Sequence, residues 1–163
     1  MTKQRVAFVT YSDDPSLSKS DKLLADHLRS QGFSVETTAW DSAEVNWELF
    51  DTLILRSCWN YHLHVDAFSE WLTIMEERQK KVWNPYDTIR WNLNKSYLLD
   101  LESKHIPIIP TTILPKGSTL SLENIFEEMN IDEIVLKPTI GASAHGVYKI
   151  HRNSQQAKEA DIQ

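Results

Sequence analysis

Apolar runs and amphipathic stretches alternate along the first part of the chain. The segment Arg5 to Tyr11 is apolar and β-branched, which predicts a buried strand ending before the turn residues Ser12 to Pro15. Leucines at helical spacing follow, and they predict a helix that begins at Ser20 or Asp21 as its cap and ends near Gly32. The chain therefore opens with a strand and a helix that packs on it.

The same alternation continues downstream. Strands are predicted at Phe33 to Thr38, Thr52 to Arg56 and Lys81 to Trp83, and a helix from Val65 to Gln79 connects the last two. A connection through a single helix implies parallel strands in a right-handed βαβ unit. We therefore predict an α/β fold whose first lobe, residues 1–84, contains a parallel sheet.

The pattern changes in the second part of the chain. Residues 85–107 are predicted to be a connector containing a helix from Lys95 to Lys104 with Asn94 as its cap, and residues 108–163 an α+β lobe with antiparallel strands. Its predicted elements are strands at Ile108–Leu114, Glu133–Lys137 and Gly146–Ile150, a helix over Leu122–Met129 and a helix around Ser154–Ala160.

A loop of small residues separates the last two strands. Lys137 and Pro138 end one strand, and Gly141, Ala142, Ser143, Ala144 and Gly146 precede the next. Small residues let backbone N–H groups approach an anion, and a lysine adds a positive charge, so the segment predicts a phosphate-binding loop. An ordinary hairpin with a long turn remains an alternative. The order of lysine, loop and strand excludes the Rossmann and Walker phosphate motifs, both of which open a helix.

The loop and the segments before it resemble the ATP-grasp superfamily. The resemblance rests on the Lys137-Pro138 strand end, on Asn94-Lys95-Ser96 at a helix start, and on the Ile106–Thr112 segment, although His105 stands where the family usually has glycine. Two further segments, Arg56–Tyr61 and Ile89–Lys95, look closest to the glutathione-synthetase-like and cycloserine-ligase-like branch. The second lobe then corresponds to the start of the ATP-grasp small lobe, and residues 1–84 to the substrate-side lobe before it.

This resemblance implies an ATP-dependent carboxylate–amine ligase that acts through an acyl phosphate, with ATP and Mg²⁺ as cofactors. The magnesium ligands of the family lie in a part that has no counterpart in this chain. We expect the chain to match about the first half of a family member, as a fragment or a natural truncation, and to be inactive alone. The residues implied to bind the ATP phosphates are Lys95, Lys137, Ser143, Ala144, His145 and Gly146.

A second group of candidates follows the third strand. Because ligands bind beyond the carboxyl ends of parallel strands and arginine binds carboxylates bidentately, these residues predict a site for a small carboxylate substrate. The alternative is a buried corner between strand and helix. Cys58 with His62 and His64 nearby also suggests a thiol nucleophile, although a lone cysteine is more often a buried apolar residue. The pair His62 and His64 suggests a metal site, with a surface loop as the alternative. The candidates are Arg56, Ser57, Cys58, Trp59 and Asn60.

Composition restricts the partners. The chain is 41% hydrophobic and 25% charged with a formal net charge of −6, which argues against a nucleic-acid or anionic-membrane surface. No apolar run approaches the roughly 18 residues of a membrane helix, and we expect a cytoplasmic protein. An uncovered sheet face would favour a homo-oligomer. The alternative to a ligase is a non-catalytic binding or interaction module derived from a truncated ATP-grasp protein.

Overall fold

The structure, a computed structural model, describes residues 3–117 and 121–154. The chain divides into two units, Met1–Leu93 and Asn94–Gln163. This division lies inside the predicted connector 85–107, because Tyr86, Ile89 and Leu93 of the helix α3 (Tyr86–Leu93) pack against the core of the first unit. The predicted domain bounds stay a prediction.

The first unit contains a four-stranded parallel sheet. The elements of this unit before α3 are β1 (Arg5–Thr10), α1 (Lys19–Ser30), β2 (Ser34–Ala39), β3 (Thr52–Leu55), α2 (Val65–Glu77) and β4 (Lys81–Trp83). The strand order is β2-β1-β3-β4, so the first strand lies inside the sheet with a neighbour on each side. The predicted α/β fold with parallel strands is confirmed.

Helices cover both faces of this sheet. Ala7 and Val9 of β1 face the cluster that contains Leu72 of α2, whereas Val6 and Phe8 face the cluster that contains Ala25 of α1. Because β1 is buried on both sides, its sequence is a continuous apolar run without polar alternation. The connections after β1 and β3 therefore leave the sheet toward opposite faces.

The predicted cap of α1 is wrong by a few residues. Ser18 caps the helix, since its hydroxyl oxygen accepts a hydrogen bond of 3.1 Å from the backbone N–H of Asp21. The side chain of Asp21 is buried, and its carboxylate accepts hydrogen bonds from Arg56 and Ser57. Gly32 follows the helix with a φ of +95°, as expected of a residue that ends a helix.

The second unit combines a two-stranded antiparallel sheet with helices. Leu122 and Phe126 of one helix pack with Ile150 of the last strand to form a small core. The predicted antiparallel strands around the loop are confirmed. The elements are α4 (Tyr97–Ser103), α5 (Leu122–Met129), β5 (Glu133–Leu136) and β6 (Tyr148–His151).

One prediction for this unit is wrong, one differs by two residues at its start, and one cannot be compared. Ile108–Leu114 is not a strand: Pro110 within it has no N–H to donate, and Ile109 is 85% exposed. The helix predicted over Lys95–Lys104 is α4, which begins at Tyr97, and the side-chain oxygen of Asn94, the predicted cap, accepts a hydrogen bond of 2.9 Å from the backbone N–H of Ser96. The helix predicted around Ser154–Ala160 cannot be compared, because all of it after Ser154 lies outside the described residues. Among residues 3–117 and 121–154, no helix has the length and apolar character needed to span a bilayer.

Candidate functional site

The small-residue loop between β5 and β6 has a tightly turned backbone. Ser143 and Ala144 have φ angles of +52° and +58°, values that non-glycine residues seldom adopt. The backbone N–H of His145 donates to the carbonyl oxygen of Ala142 at 3.0 Å, and that of Val147 donates to Ala144 at 3.2 Å. These two hydrogen bonds fix the loop as consecutive turns. Consecutive turns with left-handed residues form the kind of concave backbone that binds anions.

Gly146 closes the loop against Pro138. Its φ is +67°, and a Cβ atom built on it would lie 2.9 Å from Cγ of Pro138. Real Cβ atoms essentially never approach another heavy atom so closely. Both the backbone angle and the contact therefore require glycine at this position.

Lys95 holds the loop through two hydrogen bonds. Its backbone N–H donates to the carbonyl oxygen of Thr139 at 2.7 Å, and its Nζ atom donates to the carbonyl oxygen of Gly141 at 2.9 Å. Burial lowers the pKa of Lys95, and the positive charge of Lys137 lowers it further. The two ammonium groups thus repel each other, and an anion bound between them would relieve that repulsion.

These groups surround a small cleft of about 130 Å³. Ligand sites for drug-sized molecules begin at roughly 300 Å³, so the cleft has the size for phosphate oxygens and not for a whole nucleotide. It is lined by Lys95, Lys137, Pro138, Gly141, Ala142, Ser143, Ala144, His145 and Val147.

Five of the six predicted phosphate-binding residues line this cleft together. The sixth, Gly146, lies behind the lining and contacts Pro138. The six predicted residues did not include four others that line the cleft, Pro138, Gly141, Ala142 and Val147, which lie in or beside the loop in sequence. The roles of all six in binding stay a prediction.

The candidates after β3 lie in the first unit and are tied to the start of α1. The Nε atom of Arg56 donates to one carboxylate oxygen of Asp21 at 2.7 Å, and the hydroxyl of Ser57 donates to the other at 3.1 Å. Burial raises the pKa of Asp21, but the hydrogen bonds from Arg56, Ser18 and Ser57 outweigh burial and leave the pKa below its usual value. Asp21 therefore stays a carboxylate in the folded protein.

Asn60 belongs to a second hydrogen-bond network, which joins the segments that follow β1, β2 and β3. Its amide nitrogen donates to Asp41 at 2.8 Å, and its amide oxygen accepts from the indole N–H of Trp40 at 2.8 Å. The other oxygen of Asp41 accepts from both the backbone N–H and the hydroxyl of Ser12. Burial raises the pKa of Asp41, but the hydrogen bonds of Ser12 and Asn60 leave it lowered. Asn60 thus serves the packing of this edge of the sheet.

Cys58 is buried, and its thiol donates to the carbonyl oxygen of Val9 at 3.4 Å. Burial, together with the negative charge of Asp41, raises the pKa of Cys58 to about 12. A thiol with this pKa is a poor nucleophile at neutral pH, so the structure gives no support to the thiol alternative. Residues 3–117 and 121–154 contain no cluster of three or more His, Cys, Asp or Glu side chains placed to bind a metal ion.

The candidate group therefore divides into inward and outward residues. Ser57, Cys58 and Asn60 are buried and use their polar atoms within the first unit, as the alternative of a buried corner predicts. Trp59 is 52% exposed, and the side chain of Arg56 is 46% exposed. Asp21 and Asp41, which hold the group in place, could not be found from sequence, because both bonds join residues at least 19 positions apart.

Acid is expected to destabilise the first unit through Asp21 and Asp41. Their pKa values are lower in the folded protein than in the unfolded chain. Both groups therefore add to the free energy of unfolding above the unfolded pKa of about 3.9, and this contribution is lost as the pH falls through the folded pKa. We expect the urea midpoint to decrease below about pH 4. Tryptophan fluorescence reports this unit, because all six tryptophans precede Asn94.

A double variant isolates the two groups. Asp14, hydrogen bonded by Ser16, and Glu48, hydrogen bonded by Lys80, also have lowered pKa values, so both also contribute to the acid sensitivity. Asp21→Asn combined with Asp41→Asn should remove part of the acid sensitivity, and Asp14→Asn should leave the contribution of Asp21 and Asp41 in place. An unchanged pH profile in the double variant would contradict the prediction.

Comparisons with known proteins agree on one relationship. Residues 6–84 match the family described as D-cycloserine synthetase DcsG, N-terminal domain. The cycloserine biosynthesis protein DcsG of Streptomyces lavendulae is 30% identical over 135 residues, which are 80% of this chain and 44% of that protein. The crystal structure of D-cycloserine synthetase DcsG superposes with a TM-score of 0.85 at 26% identity, over 96% of this chain and 53% of that one.

A more distant structure has the same fold. The RimK domain ATP-grasp protein of Sphaerobacter thermophilus superposes with a TM-score of 0.71 at 17% identity, over 95% of this chain and 56% of that one. The chain thus spans about half the length of the relatives it matches.

Proposed function

We propose a function from two relationships: residues 6–84 match the family of the DcsG N-terminal domain, and the chain is related to the N-terminal part of ATP-grasp ligases. The chain forms the acid-binding lobe and the phosphate loop of an ATP-dependent carboxylate–amine ligase. In such a reaction the substrate carboxylate attacks the γ-phosphorus of ATP, which gives an acyl phosphate and ADP. An amine then attacks the acyl carbon, so that an amide forms and phosphate leaves.

The observation that carries this proposal is the cleft formed by Lys95, Lys137 and the small-residue loop. Two cations beside a concave backbone favour a polyanion, and the pKa of Lys95 is lowered first by burial and then by the positive charge of Lys137. The ammonium groups would hold the phosphates and offset the charge that develops during phosphoryl transfer.

Magnesium would supply positive charge that offsets the charge of the phosphates in this chemistry. We assign no magnesium ligand in this chain, because the part of it that the structure describes has no cluster of three or more suitable side chains. The acid substrate would bind at the outward residues after β3, where Arg56 supplies a guanidinium group for a carboxylate.

Calorimetry with three ligands tests the phosphate site. We expect ATP and inorganic tripolyphosphate to bind with similar affinity and adenosine to show no binding, since the cleft has the size for phosphates alone. Binding of both polyanions should be weaker at the higher of two salt concentrations, because screening reduces their attraction to the lysines. Binding of adenosine as tight as that of ATP, or no binding of tripolyphosphate, would contradict the proposal.

A further inference from the structure

The strand order places Asp21 and Arg56 at one point of the first sheet. The chain runs from β1 outward to β2 and then returns to β3 on the opposite side of β1. The helices α1 and α2, which follow β1 and β3, cover opposite faces of the sheet. In open parallel sheets such a reversal leaves a crevice beyond the carboxyl ends of the two strands, where ligands bind. Arg56 directly follows β3, and Asp21 lies in the first turn of α1.

The ion pair between these residues is unequal in exposure. The side chain of Asp21 is 4% exposed, whereas that of Arg56 is 46% exposed. Both carboxylate oxygens of Asp21 are used, one by Arg56 Nε and the other by the hydroxyl of Ser57. The buried charge is therefore satisfied from within the unit. The guanidinium group, by contrast, is only partly withdrawn from water.

The contact also uses one donor of the guanidinium group out of five. Asp21 takes the Nε proton at the side of the group, which leaves the end of the guanidinium plane, where each terminal nitrogen carries one outward N–H, for another acceptor. Across the described ranges 3–117 and 121–154, the structure gives these two nitrogens no hydrogen-bond acceptor. Two parallel N–H donors on a fixed plane match the two oxygens of a carboxylate.

We propose that the terminal nitrogens of Arg56 bind the carboxylate of a small organic acid, and that Asp21 is the positioning residue that holds this arginine in its binding orientation. The proposal rests on the proposed ligase function. Of the two exposed candidates, Arg56 and Trp59, it assigns the carboxylate to Arg56, which Asp21 holds in place while Ser57 donates to Asp21. Ser57, Cys58 and Asn60 do not contact the acid through their polar side-chain atoms, because these atoms are already bound inside the unit.

Asp21 contributes by fixing the arginine before the ligand arrives. Holding a long side chain in one rotamer removes an ordering cost that is equivalent to roughly threefold to tenfold in affinity. The negative charge of Asp21 also offsets one positive charge, so binding depends on hydrogen-bond geometry more than on net charge. We therefore expect affinities on the order of millimolar for a single carboxylate.

Replacement by lysine separates geometry from charge. A lysine at position 56 can still pair with Asp21, but it has no planar pair of donors left for a ligand. If Arg56 and Asp21 formed a purely structural ion pair, Arg56→Lys would change stability and leave carboxylate binding as it is. The proposal expects the reverse: a urea midpoint close to that of the native chain, and affinity for acetate weakened roughly fivefold.

The experiment is an NMR titration of the full chain with sodium acetate, with sodium chloride at equal ionic strength as the reference. We expect acetate to shift the side-chain signals of Arg56 and chloride to leave them unchanged. Asp21→Asn should weaken acetate binding although Arg56 is intact, and Ser57→Ala should weaken it less. Arg29→Lys is the matched control, since Arg29 pairs with Asp26 at 2.8 Å on an exposed face of α1.

The outcomes decide the proposal separately from the proposed function. Acetate binding that is equal in Arg56→Lys and the native chain, or equally weakened in Arg29→Lys, would overturn it. If Asp21→Asn does not fold, Ser57→Ala with Arg56→Lys still gives the answer. Tripolyphosphate binding, measured on the same samples, tests the phosphate site alone. A native chain that binds acetate but not tripolyphosphate would contradict the ligase function and leave the carboxylate site supported.

Discussion

Replacing Lys137 by alanine is expected to weaken the binding of tripolyphosphate by about 30-fold, the loss of one charge-assisted hydrogen bond to a polyanion. Lys137 lines the cleft beside Lys95 and the small-residue loop. The change removes a positive charge and leaves the loop contacts of Lys95 in place. Calorimetry at fixed ionic strength measures the effect, with the fold checked by circular dichroism.

Lys149→Ala is the matched control for this variant. Lys149 lies in β6 of the same unit, but it is 68% exposed and pairs with Glu133 at 3.0 Å on the surface. Exposed pairs contribute little to stability, so this variant should fold and bind tripolyphosphate within about twofold of the native chain. Equal losses in both variants would mean that lysines act through net charge alone, and equal affinity in Lys137→Ala would remove the phosphate role. The second result would favour the interaction module.

Replacing Gly146 by valine is expected to have the second largest effect. A β-branched residue at a φ of +67° is strained by about 2 kcal/mol, and its Cβ would lie 2.9 Å from Pro138. The loop should therefore rearrange, and we expect tripolyphosphate affinity to decrease by about tenfold. Amide hydrogen exchange of the second unit measures the loss of order, since tryptophan fluorescence reports only the first.

Gly141→Ala tests whether the reason is correct. Gly141 belongs to the same loop but has no positive φ, and a Cβ there would meet its nearest neighbours at 3.7 Å or more. Hydrogen exchange in this variant should stay close to that of the native chain. If Gly141→Ala and Gly146→Val increase exchange equally, backbone conformation at Gly146 is not what holds the loop.

The parallel sheet could be predicted from the sequence because its signals are local. A buried apolar run such as Arg5–Thr10, followed by a helix and another strand, leaves few arrangements other than parallel pairing. The wrong strand at Ile108–Leu114 shows the limit of such patterns. Its residues are β-branched and apolar, but proline and the lack of a partner strand among the described residues override that propensity.

The two candidate sites also differ in how far they could be predicted from the sequence. The phosphate loop is one continuous segment, so its residues can be predicted from the sequence alone. Lys95 enters the predicted phosphate site through the resemblance to the ATP-grasp superfamily. The role of Asp21 could not be predicted, because its bonds to Arg56 and Ser57 span 35 and 36 positions. Sequence suggested it only as a helix cap. The sequence also does not indicate which of the residues after β3 point inward, because the inward position of Asn60 depends on its hydrogen bonds with Asp41 and Trp40.

The most direct test of the phosphate-loop assignment is a ¹H–¹⁵N NMR titration of the whole chain with ATP. The account predicts that the largest shifts fall on the backbone amides of residues 139–147 and on Lys95, and that tripolyphosphate shifts the same amides. Shifts confined to residues 5–93, or spread evenly over the surface lysines of both units, would contradict it.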